Sequence, residues 1–88
     1  MDKQEVTEKV KNVVSEVLKI PASEISDEAN FIFDLGANSM QSVLLVGGFE
    51  EEFDIEMEED AALAVQTVGG AVTFITKICR EQGIDVEQ

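Results

Sequence analysis

Apolar residues recur at helical spacing along this 88-residue chain, and this periodicity restricts it to an all-α fold. The first periodic segment runs from about Lys3 to Leu18, with charged residues between its valines. Those valines are Val6, Val10, Val13, Val14 and Val17. Because a residue that precedes proline disfavours helical backbone angles, Ile20-Pro21 is expected to end this helix. No segment shows the alternation of apolar and polar residues that is typical of a strand.

The rest of the chain predicts two further long helices and one short helix. The second helix is expected from about Ser39 to Phe53, and the short third helix over residues 61–65. The last helix is expected to follow an N-cap at Thr67 and to end at Gly83. The predicted fold is therefore a small bundle of three main helices plus one short helix around a single core.

Residues 21–38 form a long connection with too many apolar side chains for a solvated loop, so we expect this connection to lie on the core. Ser26 is a candidate cap for a short helical turn within it. A chain of this length makes one small domain. We expect that domain to span residues 1–88, folded from about residue 3 to residue 82, with a short polar tail after it.

The composition excludes several kinds of catalytic and metal site. The chain has no His, which excludes a Ser-His-Asp hydrolase and a His-containing zinc site. A single cysteine, Cys79, excludes an internal disulfide, and its apolar neighbours favour a small buried hydrophobic side chain over a reactive thiol. No metal site is predicted.

The chain is strongly acidic, with 19 Asp and Glu against 6 Lys and Arg and a formal charge of −13. Such a surface repels nucleic acid and anionic membranes and attracts partners that carry basic patches. No apolar run approaches the roughly 20 residues that a membrane-spanning helix needs. The charged N-terminal residues are unlike a signal peptide, so a cytoplasmic location is expected, with a monomer as the default state.

The most informative short motif is DLGANSM at residues 34–40. A turn-forming glycine, Gly36, precedes Ser39, which opens the second apolar-periodic segment. A hydroxyl in this position lies at a helix start, where backbone N–H groups lack intrahelical partners and the dipole is positive. A phosphate ester on that hydroxyl would be stabilised by both effects.

This motif resembles the attachment motif of the acyl carrier protein family, Asp-Leu-Gly-x-Asp-Ser-Leu. The resemblance extends from about residue 6 to residue 75 and includes Asn30-Phe31, the EEEF run at residues 50–53 and Thr67-Val68. It implies that a holo-carrier-synthase-type transferase attaches phosphopantetheine to Ser39. The terminal thiol of that arm would hold acyl groups as thioesters for fatty-acid, lipid or related biosynthesis. Peptidyl carriers share the Gly-x-x-Ser arrangement, but the strong acidity favours the acyl type.

The resemblance also implies roles for further residues, while the carrier itself needs no catalytic residues. The flanking residues at the attachment site are Asp34, Gly36, Asn38 and Met40. The candidates for lining an acyl pocket are Phe31, Leu35, Val43, Gly47, Phe49, Met57, Ala62, Val65, Ala71 and Phe74, and each would also serve as ordinary core. The partner enzymes would be acyl-transferring or condensing enzymes with basic docking patches. The candidates for contacting them are Gln41, Leu44, Glu50, Glu51 and Leu63.

Some positions depart from the family pattern. Asn38 replaces the family's Asp before the serine, and Gln41 and Leu44 stand where acidic residues are usual. Gly47 and Gly48 replace larger apolar groups, and each costs about 1 kcal/mol relative to Ala inside a helix. One hypothesis is a specialised carrier with a wider acyl groove and a dedicated partner that contacts Leu44 and the third helix. The alternative is neutral drift in a housekeeping carrier.

Two other functions are open to the same sequence. If Ser39 only caps a helix, the chain is an unmodified acidic helical interaction module that docks a basic protein partner. The acidic residues 54–60 also suggest a calcium loop, but its sixth position is Glu59, where an EF-hand loop needs Gly for its turn. A solvated acidic loop is therefore the better interpretation of that segment.

Overall fold

The computed structural model describes residues 1–87, and it confirms the all-α fold. Its elements are α1 (Lys3–Leu18), a 3-10 turn (Ala22–Glu24), α2 (Ser39–Phe53), α3 (Glu59–Leu63) and α4 (Val68–Glu81). Within residues 1–87 there is no strand, and only two isolated bridges join extended residues. Three long helices and one short helix are therefore present in the predicted order.

Helix α1 forms because its valines share one face and both of its ends are capped. The Asp2 carboxylate accepts a hydrogen bond of 2.8 Å from the N–H of Glu5 at the start of the helix. Lys19 ends it in the left-handed conformation, with φ at 60°, and donates its N–H to the Ser15 carbonyl. Four of the five expected valines are buried, while Val17 is half-buried.

Helix α3 begins two residues earlier than the sequence pattern suggested and ends before Val65. Glu59 and Asp60 occupy its first turn, where acidic side chains interact favourably with the helix dipole. Ser26 also behaves differently from the expectation, because its hydroxyl accepts from Glu28 N–H at 3.1 Å and caps a non-helical turn. The helical turn of this connection lies earlier, at Ala22–Glu24 directly after Pro21.

Helix α2 buries only part of its apolar-periodic run, which comprises Met40, Val43, Val46, Phe49 and Phe53. Its buried residues are Leu45, Val46, Phe49 and Phe53. Met40 and Val43 are 74% and 46% exposed. Because α2 is apolar on nearly every side in its first three turns, the sequence could not show which face α1 covers.

The glycines in the middle of α2 have different surroundings. A Cβ atom on Gly48 would lie 2.7 Å from Cγ1 of Val13, so Gly48 permits the close approach of α1. A Cβ atom on Gly47 would meet no atom within 4 Å. Gly48 is therefore required for the packing of α1 against α2, whereas Gly47 faces open space.

The connection between α1 and α2 lies on the core, as expected, because backbone hydrogen bonds join it to the start of α4. Phe31 N–H donates to the Gln66 carbonyl at 3.0 Å, and Val68 N–H donates to the Ala29 carbonyl at 3.1 Å. The buried residues of this connection are Ile25, Ala29, Phe31 and Ala37. The segment that leads into α2 is thus hydrogen-bonded to the start of α4.

The expected polar tail is packed against the first residues of the chain. The N-terminal amine donates to the Asp85 carbonyl at 3.0 Å, and Glu87 N–H donates to the Met1 carbonyl at 2.8 Å. The Arg80 guanidinium donates to the Val86 carbonyl at 3.0 Å, and the Val86 side chain is buried. Ordered packing therefore continues beyond residue 82, because Val86 supplies an apolar anchor.

Candidate functional site

The start of α2 is held by a reciprocal capping box between Asn38 and Gln41. The Asn38 side chain accepts from Gln41 N–H at 2.8 Å, and the Gln41 side chain accepts from Asn38 N–H at 3.1 Å. Asn38 is therefore the N-cap, and Ser39 is the first helical residue. The interpretation of Ser39 as the cap is wrong, since a neighbour performs that role and the Ser39 side chain is exposed.

The same helix end is suited to binding an anion. The capping box uses the N–H groups of Asn38 and Gln41, and no bond within residues 1–87 uses those of Ser39 and Met40. The first turn of α2 carries no acidic residue, so no side-chain charge offsets the positive end of the helix dipole. A phosphate ester on the Ser39 hydroxyl would meet these free donors.

The turn that precedes α2, residues 30–36, is held by side-chain hydrogen bonds. Gly36 has φ at 75°, a conformation that glycine adopts without strain. The Asp34 carboxylate accepts from Asn30 N–H at 2.7 Å. The Asn30 side-chain oxygen in turn accepts from the N–H groups of Ile32 and Phe33, each at 2.9 Å. Asp34 and Gly36 thus shape the turn that precedes Ser39.

A cavity of about 280 Å³ opens between this turn, α2, α3 and α4. Seven of the expected pocket residues line it, namely Phe31, Phe49, Met57, Ala62, Val65, Ala71 and Phe74. Ser42, one turn beyond Ser39 on α2, also lines it, so the cavity extends to the first turn of this helix.

Three expected pocket residues lie elsewhere. Val43 is 46% exposed on the outer face of α2, Gly47 faces open space, and Leu35 packs against the core outside the cavity. The proposed widening of the groove at Gly47 and Gly48 is therefore wrong, since neither residue lines it. Residues that the sequence analysis missed are Asn30, Ile32, Phe33, Ser42, Leu45, Val46, Leu63, Ala64 and Gln66. Val46 and Phe49 are three residues apart on α2, and this spacing could have indicated Val46, but nothing in the sequence marks Phe33.

The partner-surface candidates divide into two groups. Leu44, Glu51 and Leu63 are exposed, with Leu44 at 55% and Leu63 at 41%. Gln41 is occupied by the capping box, and the Glu50 carboxylate accepts from Met57 N–H at 3.0 Å. Gln41 and Glu50 are therefore half-buried and also stabilise the fold, and their contact with partner enzymes stays a prediction.

Cys79 is fully buried, and burial raises the pKa of its thiol. Among residues 1–87, no group of three or more potential ligands converges in the way that a metal ion requires. No helix within that part of the chain is long and apolar enough to cross a membrane.

Comparison with known proteins identifies the family. The family model described as "Phosphopantetheine attachment site" matches residues 8–75. The acyl carrier protein of Caulobacter vibrioides (strain NA1000 / CB15N) is 49% identical over 73 residues, covering 83% of this chain and 94% of that protein. The acyl carrier protein of Picosynechococcus sp. (strain ATCC 27264 / PCC 7002 / PR-6) is 46% identical over 74 residues, covering 84% of this chain and 91% of the relative. With this extent of similarity and a matching helical fold, the chain belongs to the acyl carrier protein family, whose members carry a phosphopantetheine group.

Proposed function

We propose that this chain carries acyl groups on a phosphopantetheine arm joined to the hydroxyl of Ser39. The observation that carries the proposal is the placement of this exposed hydroxyl at the first position of α2, with Asn38 as the cap. Its free N–H neighbours suit a phosphodiester, and the cavity that begins one turn away suits an apolar chain.

The protein's residues bind and orient in this proposal and do not catalyse. Asn38 and Gln41 fix the helix start, while Asp34 and Gly36 shape the turn before it. When bound, phosphopantetheine supplies a terminal thiol that holds the acyl group as a thioester. Bond formation and cleavage are left to partner enzymes, which fits a chain without His.

Intact-mass analysis tests the attachment. Incubation of the apo protein with coenzyme A and a phosphopantetheinyl transferase should add one phosphopantetheine group, and Ser39→Ala should abolish the addition. Ser42→Ala is the matched control, because Ser42 lies in the same turn but its hydroxyl donates to the Asn38 carbonyl at 3.0 Å. Unmodified wild-type protein, or modification that persists in Ser39→Ala, would contradict the proposal.

An unmodified interaction module is the second candidate function. The exposed apolar side chains of Met40 and Leu44 beside Ser39 favour protein contact at this surface. This candidate predicts that protein isolated from its native host lacks any adduct on Ser39. The carrier proposal predicts phosphopantetheine, with or without an acyl group, on the same sample.

The partner enzymes proposed for the carrier are a transferase that loads Ser39 and acyl-transferring or condensing enzymes with basic docking patches. The charge of −13 supports such partners through long-range attraction. The first three turns of α2 contribute no charged residue, and this supports a dedicated partner that contacts Leu44 by apolar packing. Efficient turnover by general fatty-acid enzymes would favour a housekeeping carrier instead.

The cytoplasmic location stays a prediction, which fractionation of the native host would test.

A further inference from the structure

Phe33 is the most exposed large apolar side chain within residues 1–87, with 88% of its surface accessible. It nevertheless lines the cavity that opens beside α2 and α3. A side chain that contacts a cavity and is otherwise surrounded by solvent lies at the opening. Two further exposed residues, Ile32 at 58% and Leu63 at 41%, line the same opening and give it an apolar rim.

The interior of the cavity has a matching apolar character. Of the five phenylalanines in the chain, four line it, namely Phe31, Phe33, Phe49 and Phe74. Phe31 and Phe49 are buried and form part of the floor. An occupant that fills the cavity would therefore contact aromatic side chains below and meet Phe33 at the rim.

The backbone under Phe33 is fixed, so only its side chain is free to move. The Asn30 side chain accepts from Phe33 N–H at 2.9 Å, and the Asp34 carboxylate accepts from Asn30 N–H at 2.7 Å. Phe31 N–H is bonded across to the Gln66 carbonyl. Covering the opening would therefore rely on rotation of the Phe33 side chain between rotamers.

We propose that Phe33 covers the opening of this cavity once an acyl chain is held inside, and so selects chains that fill the cavity to the rim. The proposal rests on the proposed carrier function. It commits to an acyl chain as the occupant because the rim continues directly into the apolar cavity, which Ser42 connects to the attachment helix. When the ring of Phe33 packs on the acyl chain, apolar surface of both the ring and the chain is removed from water, and this contact is favourable.

The test compares acylated and unacylated forms of each variant. Holo protein and hexanoyl, octanoyl and decanoyl forms are prepared with the corresponding coenzyme A thioesters and a phosphopantetheinyl transferase, and intact mass verifies loading. Thermal unfolding then gives the rise in Tm caused by each acyl group. In the wild type, the rise should grow with chain length until the cavity is filled.

In Phe33→Ala, the unacylated protein should keep the wild-type Tm, because Phe33 is almost fully exposed, while the acyl-induced rise should fall to about half or less. Phe33→Leu should restore most of the rise, since it keeps an apolar cover. Leu44→Ala is the matched control, because Leu44 is 55% exposed but does not line the cavity, and its acyl-induced rise should equal that of the wild type.

An acyl-induced rise in Phe33→Ala that equals the wild-type value at every chain length overturns the cover role. So does an equal loss in Leu44→Ala, which would assign the effect to exposed apolar surface in general. Failure of the wild-type protein to accept the acyl group at Ser39 is a different result, because it contradicts the carrier function itself and is seen by mass before any melting experiment.

Discussion

Asn38 shows how one residue decides the role of its neighbour. It departs from the family's acidic residue, yet its side-chain oxygen and its backbone N–H form the two bonds of a capping box with Gln41, and Ser39 is left exposed. A neutral cap also keeps a carboxylate away from the Ser39 hydroxyl, where a phosphate is proposed to lie. The substitution therefore preserves the local fold and changes only the charge beside the site.

The first prediction concerns this cap. Asn38→Ala should lower the free energy of unfolding by about 1 kcal/mol, because the N–H of Gln41 loses its acceptor. Asn38→Asp should keep the wild-type stability, since its carboxylate caps equally well and interacts favourably with the helix dipole. Urea unfolding followed by circular dichroism measures both. Equal losses in the two variants would show that the cap bond is not the cause.

The second prediction follows from Cys79. Burial raises the pKa of its thiol, an effect that the charges of Lys9 and the N-terminal amine oppose only in part. Below the ordinary thiol pKa of about 8.5, the folded and unfolded chains both keep the proton. Above it the unfolded chain ionises first, so stability should fall as pH rises toward the raised pKa of the folded state.

Urea unfolding in the presence of a reductant at pH 7.5 and pH 9.5 checks this dependence. Cys79→Ala should be less stable than the wild type at pH 7.5 because it leaves a small cavity, but it should lose less stability between the two pH values. The other titrating groups are common to both proteins. An equal loss in the two proteins would assign the pH dependence to groups other than this thiol.

At the scale of elements, the paired glycines of α2 provide a matched comparison. Gly47→Ala should raise the free energy of unfolding by up to about 1 kcal/mol, because alanine favours the helix and its Cβ meets open space. Gly48→Ala should lower it by about 1–3 kcal/mol, because its Cβ would overlap with Val13 on α1. Thermal or urea unfolding of the two variants measures the difference.

A second substitution identifies the cause at Gly48. In a Val13→Ala background, where the overlapping Cγ1 atom is absent, Gly48→Ala should no longer be destabilising. A penalty that persists in this background would place the strain within α2 and not at the contact between α1 and α2.

For the molecule as a whole, features that depend on neighbouring residues could be predicted from the sequence. The packing of one helix against another could not. The valine stripe predicted α1, and the Gly36–Ser39 spacing predicted where α2 begins, because both depend on neighbouring residues. The face that α2 buries depends on the position of α1, so Val43 was assigned to a pocket that it does not reach. Phe33 lines the cavity from a connection whose backbone is hydrogen-bonded to Gln66 and Val68, which are distant from it in the sequence.

The last prediction concerns the net charge of the whole protein. The chain carries a formal charge of −13, and within residues 1–87 one ion pair is formed, between Lys11 and Asp27 at 2.7 Å. Repulsion among carboxylates should therefore destabilise the fold at low ionic strength, and added NaCl should screen it. Thermal unfolding should show a rise in Tm of about 4–8 °C between 10 mM and 500 mM NaCl, which corresponds to roughly 1 kcal/mol for a domain of this size.

Glu52→Lys, an exposed change in the last turn of α2, should raise Tm in 10 mM NaCl and have little effect in 500 mM. A Tm that falls with salt, or a benefit of Glu52→Lys that is unchanged by salt, would show that charge repulsion does not limit the stability of this carrier.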